Sequence, residues 1–258
     1  MVPTKYSVVM TLGERVWDTY GKNSVETFDK YWPEEIVLTI YFDGKIPDYR
    51  SPHNRVVFKQ FEKEIPEHAE FIERNKDRHP DFLNYDINNI DVQAAKFACK
   101  VYAQLHELEN PPHQYVIYLD GDVVTKETIT TDLLDVMVSR EHYLSFVNRM
   151  PARFTETSIM IWNTHHPLHN QWCQTYRAMY DEDKIFEYAA WHDCIAFDET
   201  TFPMIKAQMI ECMDLGYGEW KRSKHPLVVG PLGQYFDHLK GPSRKAKGFS
   251  PERVNAGF

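Results

Sequence analysis

The sequence predicts an α/β fold in which a mostly parallel central sheet carries helices on both faces, as a single domain over residues 1–258. Two observations carry this. Short apolar, β-branched runs alternate with helical stretches from Lys5 to Leu119. The last of those runs, Tyr115–Leu119 (YVIYL), is continuously apolar and bounded by turn residues, as a strand buried on both faces must be.

The elements follow in order. Lys5–Leu12 (KYSVVMTL) reads as the first strand, and Gly21–Tyr31 as a helix stopped by Trp32-Pro33. Glu35–Phe42 (EIVLTIYF) is a second strand closed by the turn pair Asp43-Gly44, and Arg55–Lys59 a short third. A charged helix covers Ile65–Asn75. Asp91–Leu108 sets Val92, Ala95, Cys99, Tyr102 and Leu105 at three- and four-residue steps, one amphipathic face, and Pro111-Pro112 ends it. Beyond the YVIYL strand, His142–Val147 and Ser158–Trp162 read as strands, Pro167–Tyr180 as a helix, Trp191–Phe197 as helix or loop, and Leu227–Gly230 as a short strand.

Composition narrows the class. At 258 residues, 43% hydrophobic and 14% aromatic, the chain can bury a large core and is not disordered. Cys99, Cys173, Cys194 and Cys212 have no C-x-x-C spacing, which suits reduced thiols rather than a disulfide framework or a zinc site. The N-terminal residues lack a basic leader followed by an apolar stretch, and no apolar run approaches the ~20 residues that span a bilayer. A soluble, cytoplasmic protein is expected. Of the net charge of −9, the stretch from Lys221 onward contributes about +6, from eight basic residues against Asp237 and Glu252, so the body is strongly acidic. Such a body argues against nucleic acid as a partner. The basic tail, 242–258, is expected to order on binding ligand.

Asp120-Gly121-Asp122 follows the YVIYL strand directly. Ligands of α/β sheets collect at the carboxyl ends of strands. Carboxylates two residues apart on an extended chain point to the same side, and Gly121 between them lets a ligand approach. Like charges so close need a compensating cation or a shared proton, and a divalent metal supplies the first while also holding a diphosphate. The plainer reading is a turn with two exposed acids, which a buried strand in front of them disfavours. The second signal is His238-Leu-Lys-Gly241-Pro-Ser-Arg244-Lys245. An imidazole can complete a carboxylate metal site for Mn²⁺ or a similar ion. Gly241 would admit a phosphate, with Arg244 and Lys245 supplying charge. The plainer reading here is a surface loop with a basic tail.

Together, YLDGDVV and HLKGPSRK resemble the D-x-D and H-x-x-G-x-x-(K/R) elements of GT-A glycosyltransferases, retaining enzymes of the glycogenin and lipooligosaccharide galactosyltransferase kind. The resemblance implies a single GT-A (Rossmann-like) domain, metal roles for Asp120, Asp122 and His238 with Mn²⁺ (or Mg²⁺), and a phosphate role for Arg244 or Lys245. The familiar lysine position holds Arg244, with Lys245 next to it, so which cation reaches phosphate stays open. A bacterial and viral group of glycosyltransferases, including a viral rhamnosyltransferase-like domain, is similar over more of the chain. It matches at Tyr20-Gly21, Trp32-Pro33, Ala95–Val101, YLDGDVV, Thr155-Glu156-Thr157, Trp191-His192-Asp193 and DHLKG, from about Thr11 to Gly248.

The function implied is transfer of a sugar from a nucleoside diphosphate, a UDP-sugar by expectation, to a hydroxyl on a glycan or other acceptor, with retention. Asp193 and Glu156 are the candidate catalytic carboxylates, near the reacting carbon or the acceptor hydroxyl. Trp191 and His192 are candidates for the acceptor pocket, and Thr11 and Tyr20 for the base and ribose. Lys96 or Lys100, one helical turn apart, would meet the diphosphate, although Lys100 also fits a solvated face. Two rival classes remain. In a haloacid-dehalogenase-type phosphatase Asp120 would be the nucleophile, but no acidic pair ends a later strand. A catalytically silent nucleotide-sugar-binding module would keep the same residues. A sugar-phosphate nucleotidyltransferase would need a glycine-rich signature after Leu12, where the chain reads Gly-Glu-Arg-Val-Trp.

Overall fold

A computed structural model describes residues 4–83, 87–151, 154–216 and 225–257. Its strands are β1 (Tyr6–Gly13), β2 (Leu38–Asp43), β3 (Val56–Gln60), β4 (Tyr115–Leu119), β5 (Val123–Thr125), β6 (Leu144–Val147), β7 (Glu156–Asn163), β8 (Cys212–Asp214) and β9 (Phe236–His238). Seven of them form one sheet in the order β3-β2-β1-β4-β7-β6-β8, so the YVIYL strand is the middle one. β7 alone runs against its neighbours; the other four pairings are parallel. The mostly parallel α/β sheet expected from the sequence is the observed one.

Both faces are covered, because strand residues alternate sides. Tyr115, Ile117 and Leu119 of β4 join Val8, Met10 and Leu12 of β1 in a core with Val25 and Phe28 of helix α1 (Lys22–Tyr31). Val116 and Tyr118 face the other way, with Val9, into a larger core. That core is roofed by α2 (Pro66–Asn75), α3 (Ala94–Glu109), α4 (His169–Asp181) and α5 (Asp193–Lys206).

Helix α3 departs from the amphipathic reading. Its apolar face is buried as expected, with Ala95, Tyr102 and Leu105 at 1% exposure or less, but the polar stripe Lys100, Gln104 and Glu107 is buried too. The helix is enclosed by the sheet and neighbouring helices, and each stripe residue finds a partner inside. Tyr176 donates to Gln104, and Glu107 accepts from Tyr41 and Lys59. Buried polar groups cost several kcal/mol unless paired in this way.

Two further differences concern the second half. The expected strand over Leu227–Gly230 is a helical turn, Pro226–Val229. Pro226 stands at its start, where a fixed φ and a missing N–H suit a helix rather than a ladder. Trp191 and His192 precede α5, whose first residue is Asp193. The basic tail forms two short helices, Pro242–Lys247 and Glu252–Ala256, with Ser250 fully buried between them. No helix among the described residues is long and apolar enough to cross a membrane.

Candidate active site

β4 delivers Asp120 and Asp122 to the carboxyl edge of the sheet, beside the end of β1. The fit there is tight: a Cβ on Gly121 would lie 2.4 Å from Leu12 Cδ2 and 2.9 Å from the Thr11 carbonyl oxygen. Glycine is needed at this position for close approach, not for a turn. Thr11 itself is 3.0 Å from the Tyr118 hydroxyl, through its Oγ1.

The distant basic element is brought to the acidic pair by a two-stranded ribbon. β5 pairs antiparallel with β9, with Val123 opposite His238, and the Leu239 N–H donates to the Asp122 carbonyl at 2.9 Å. α1 anchors the ribbon, because Thr27 Oγ1 accepts from the Thr125 N–H at 3.1 Å and Ser24 donates to the Val123 carbonyl. His238 Nε2 consequently lies 2.9 Å from Asp122 Oδ1. Lys245 Nζ lies 2.9 Å from Asp122 Oδ2 and 4.0 Å from the centroid of the Tyr20 ring.

Arg244 takes a different course. It pairs with Glu252 and donates to the Lys240 carbonyl at 2.7 Å. Of the two adjacent cations it is therefore Lys245 that faces the carboxylates. Gly241, at φ +85 with open space about its Cβ position, makes the turn that starts the Pro242–Lys247 helix.

On the other side of Asp120 sits Lys100, 8% exposed. Its Nζ is 2.8 Å from Asp120 Oδ1 and 2.7 Å from Asp193 Oδ2, and it donates to the Thr157 carbonyl at 2.8 Å. Thr157 in turn donates to Asp193 at 2.6 Å. Lys100 is thus an internal cation joining two carboxylates, not part of a solvated face. Lys96, one turn earlier, is half-buried, and burial together with Lys245 pushes its ammonium pKa down.

The electrostatics follow from these contacts. Burial alone would lower Lys100, but Asp120 and Asp193 hold it well above the usual lysine range. Burial raises the Asp120 carboxyl, and Lys100 offsets only part of that. For Asp122 burial is outweighed by His238 and Lys245, which keep the group well below the usual carboxylate range. Asp193 is lowered in the same manner, burial being overcome by Lys100 and Thr157. The Tyr20 hydroxyl is raised by burial and by both aspartates.

Oxygen and nitrogen atoms of Asp120, Asp122 and His238 lie within 4.8 Å of one another. Two carboxylates and an imidazole suit a divalent ion such as Mn²⁺. They also leave positions for further oxygen ligands, so these residues fit a metal.

Glu156, at the start of β7, is 4% exposed and faces the same region from the far side of His238. His192 is enclosed between the rings of Phe97 and Phe154 at 5.9 and 5.0 Å. Trp191 packs on Phe186 and His79, in the aromatic core cluster rather than against the carboxylates.

Sequence reasoning did not single out His225, Arg149 or Lys240, all of which lie within 4 Å of Glu156. Lys240 stood inside the quoted basic element and was readable there. His225 and Arg149 belong to segments with no period or motif of their own.

No protein-family model and no curated protein matches the sequence. Solved structures do. Mouse xyloside xylosyltransferase 1, in its apo form, superposes with a TM-score of 0.50 at 10% identity, over 88% of this chain and 92% of that one. An active-site mutant of LgtC gives 0.50 at 13% identity, over 98% and 100%. The bifunctional glycosyltransferase WbbM in its apo form gives 0.59 at 9% identity, over 98% of this chain but only 51% of WbbM, so the chain spans about half the length of that protein. At such identities the likeness is one of fold, and the fold is the GT-A type of α/β domain anticipated from the two motifs.

Proposed function

We propose that this protein is a metal-dependent glycosyltransferase that moves a sugar from a nucleoside diphosphate, UDP by the resemblance, to an acceptor hydroxyl with retention of configuration. The observation that carries the reading is the convergence of Asp120, Asp122 and His238, from two distant segments, with Lys245 beside them. Bound by these three residues, Mn²⁺ or Mg²⁺ would act as a Lewis acid toward the departing diphosphate.

The chain's own groups then divide the work. Burial and then the nearby Lys245 lower the Lys96 ammonium, and an anion bound beside the two cations would relieve that repulsion. Gly241 would keep a side chain out of the diphosphate path, and Gly121 lets the acidic pair sit close against the end of β1. Arg244 would steady the basic turn from behind through Glu252, and the 242–258 stretch would order further around the ligand. Thr11, near the end of β1, and Tyr20, in the helical turn Trp17–Gly21 after it, are assigned to the base and ribose. Asp193, held ionised by Lys100 and Thr157, is the carboxylate assigned to the positive charge that develops at the anomeric carbon. His192 would border the acceptor, with Trp191 behind it in the aromatic cluster rather than at the acceptor itself.

Thermal shift with UDP and UDP-sugars tests the reading, with and without Mn²⁺, on the wild type and on Asp122→Ala. A ligand at about 100 times its Kd stabilises by ~2.7 kcal/mol, a shift of roughly 5–10 °C for a chain this size. The shift should require both the metal and Asp122. A shift that persists without metal, or survives the substitution, overturns the proposal. UDP binding with neither transfer nor slow donor hydrolysis would favour a silent binding module.

A further inference from the structure

Glu156 is surrounded by donors. Its carboxylate lies 3.6 Å from Arg149 Nη1, 3.9 Å from His225 Nε2, 3.8 Å from Lys240 Nζ and 3.7 Å from His238 Nδ1. Of these four, His238 also makes a direct contact with the acidic pair, through the opposite ring nitrogen. His238 is 3% exposed, and its Nδ1 is buried without a hydrogen-bond partner among the described residues. An imidazole that gives one nitrogen to a cation almost always donates the other N–H to a fixed acceptor, which sets both tautomer and ring orientation.

The backbone of His238 is held by the β5–β9 pairing, which leaves rotation of the ring as its freedom. His225 closes one side of that rotation with an edge-on contact at 4.6 Å and 85°. Glu156 offers the acceptor on the remaining side.

We infer that Glu156 is a positioning residue for His238: it accepts the Nδ1 proton in a hydrogen bond and so turns the Nε2 lone pair toward the cation shared with Asp120 and Asp122. The 3.7 Å separation stands roughly 0.5 Å beyond hydrogen-bond length, and the two groups must close it for the bond to form. This assignment rests on the metal reading above and gives Glu156 a task other than general base or sugar contact. The ring of donors agrees with it, since a carboxylate already facing four donors is poorly placed to take a proton from a substrate hydroxyl.

The test is Mn²⁺ titration of the full chain without nucleotide, read from the EPR signal of the free ion, on wild type, Glu156→Leu, Glu156→Gln and Asp122→Ala. Glu156→Leu, which has no acceptor, should bind Mn²⁺ about 10- to 100-fold more weakly than wild type, the usual effect of losing such a partner. Glu156→Gln, whose amide oxygen can still accept, should recover part of that loss. Mn²⁺ affinity of Glu156→Leu within about 2-fold of wild type, whether or not transfer survives, overturns the inference. If wild type binds Mn²⁺ and Asp122→Ala does not, that failure leaves the metal reading standing. Absence of Mn²⁺ binding by wild type removes both. A second measurement needs no variant: side-chain ¹⁵N NMR of the Mg²⁺-loaded wild type should find the His238 proton on Nδ1, and a proton on Nε2 instead would overturn the assignment.

Discussion

Replacing Lys100 with methionine removes the ammonium that bridges Asp120 and Asp193 while keeping most of the apolar stem. Nζ lies 2.8 Å from one carboxylate and 2.7 Å from the other, and the side chain is 9% exposed, so water cannot take its place cheaply. Breaking a buried ion pair from one side costs roughly 3–5 kcal/mol, because the remaining charge is left uncompensated. For a chain of this length that is a fall of about 6–20 °C in Tm. The pH dependence has a definite sign. Asp193 has a folded pKa below its unfolded one, so its pairing contributes stability above about pH 4 and loses it as pH falls through the lowered value. Lys100 has a raised pKa, so its contribution is complete below about pH 10.4 and fades only above the raised value. The gap between wild type and Lys100→Met should therefore be full at pH 7 and close toward pH 3. Differential scanning calorimetry across that range measures it. A gap smaller than about 2 °C at pH 7, or one that does not narrow in acid, would refute the view of Lys100 as a buried bridge.

The adjacent cations should separate in binding experiments. Lys245→Met should weaken UDP binding in the presence of Mn²⁺ by about 10- to 100-fold, the worth of one charge-assisted contact, whereas Arg244→Met, which loses Glu252 instead, should change the Kd less than about 3-fold. Calorimetric titration decides between them, and the opposite ranking would move the phosphate role to Arg244. Asp198 offers a second pH test. Burial raises its carboxyl to about 6, against the hydrogen bond it accepts from the Thr155 N–H, and its Oδ1 has no hydrogen-bond partner among the described residues. An acid with a raised folded pKa costs stability as pH rises from about 4 to 6, here up to about 3 kcal/mol. Asp198→Asn should therefore match wild type near pH 4 and exceed it at pH 7.5 in urea midpoint; equal midpoints at both pH values would contradict this.

Much of the fold was legible because burial leaves a period. The strands at Tyr6, Leu38, Val56, Tyr115, Leu144 and Glu156 and the helices α1 to α4 lie where alternation, apolar runs and Gly or Pro stops put them, within a few residues. The strands β5, β8 and β9 were not read. Each is three residues long, too short to carry a period, and each exists by virtue of a partner far along the chain. The turn Pro226–Val229 was misread for a related reason, since a short apolar run does not distinguish strand from helix.

The acidic pair and the basic element were both visible in one dimension, each with a chemical reason for its residue types. Local residue order was enough to show that two carboxylates leave a buried strand around a glycine, and that an imidazole, a glycine and two cations stand together near the other end. Long-range packing brings these together, turns Lys245 rather than Arg244 toward the carboxylates, and places Lys100 inside. The reason is the same for all three. Periodicity records how one segment meets its surroundings, whereas a charge becomes tolerable in the interior only when a residue from elsewhere arrives to balance it. Lys100 had the spacing of a surface lysine on α3, and Asp120 with Asp193 made it a core residue.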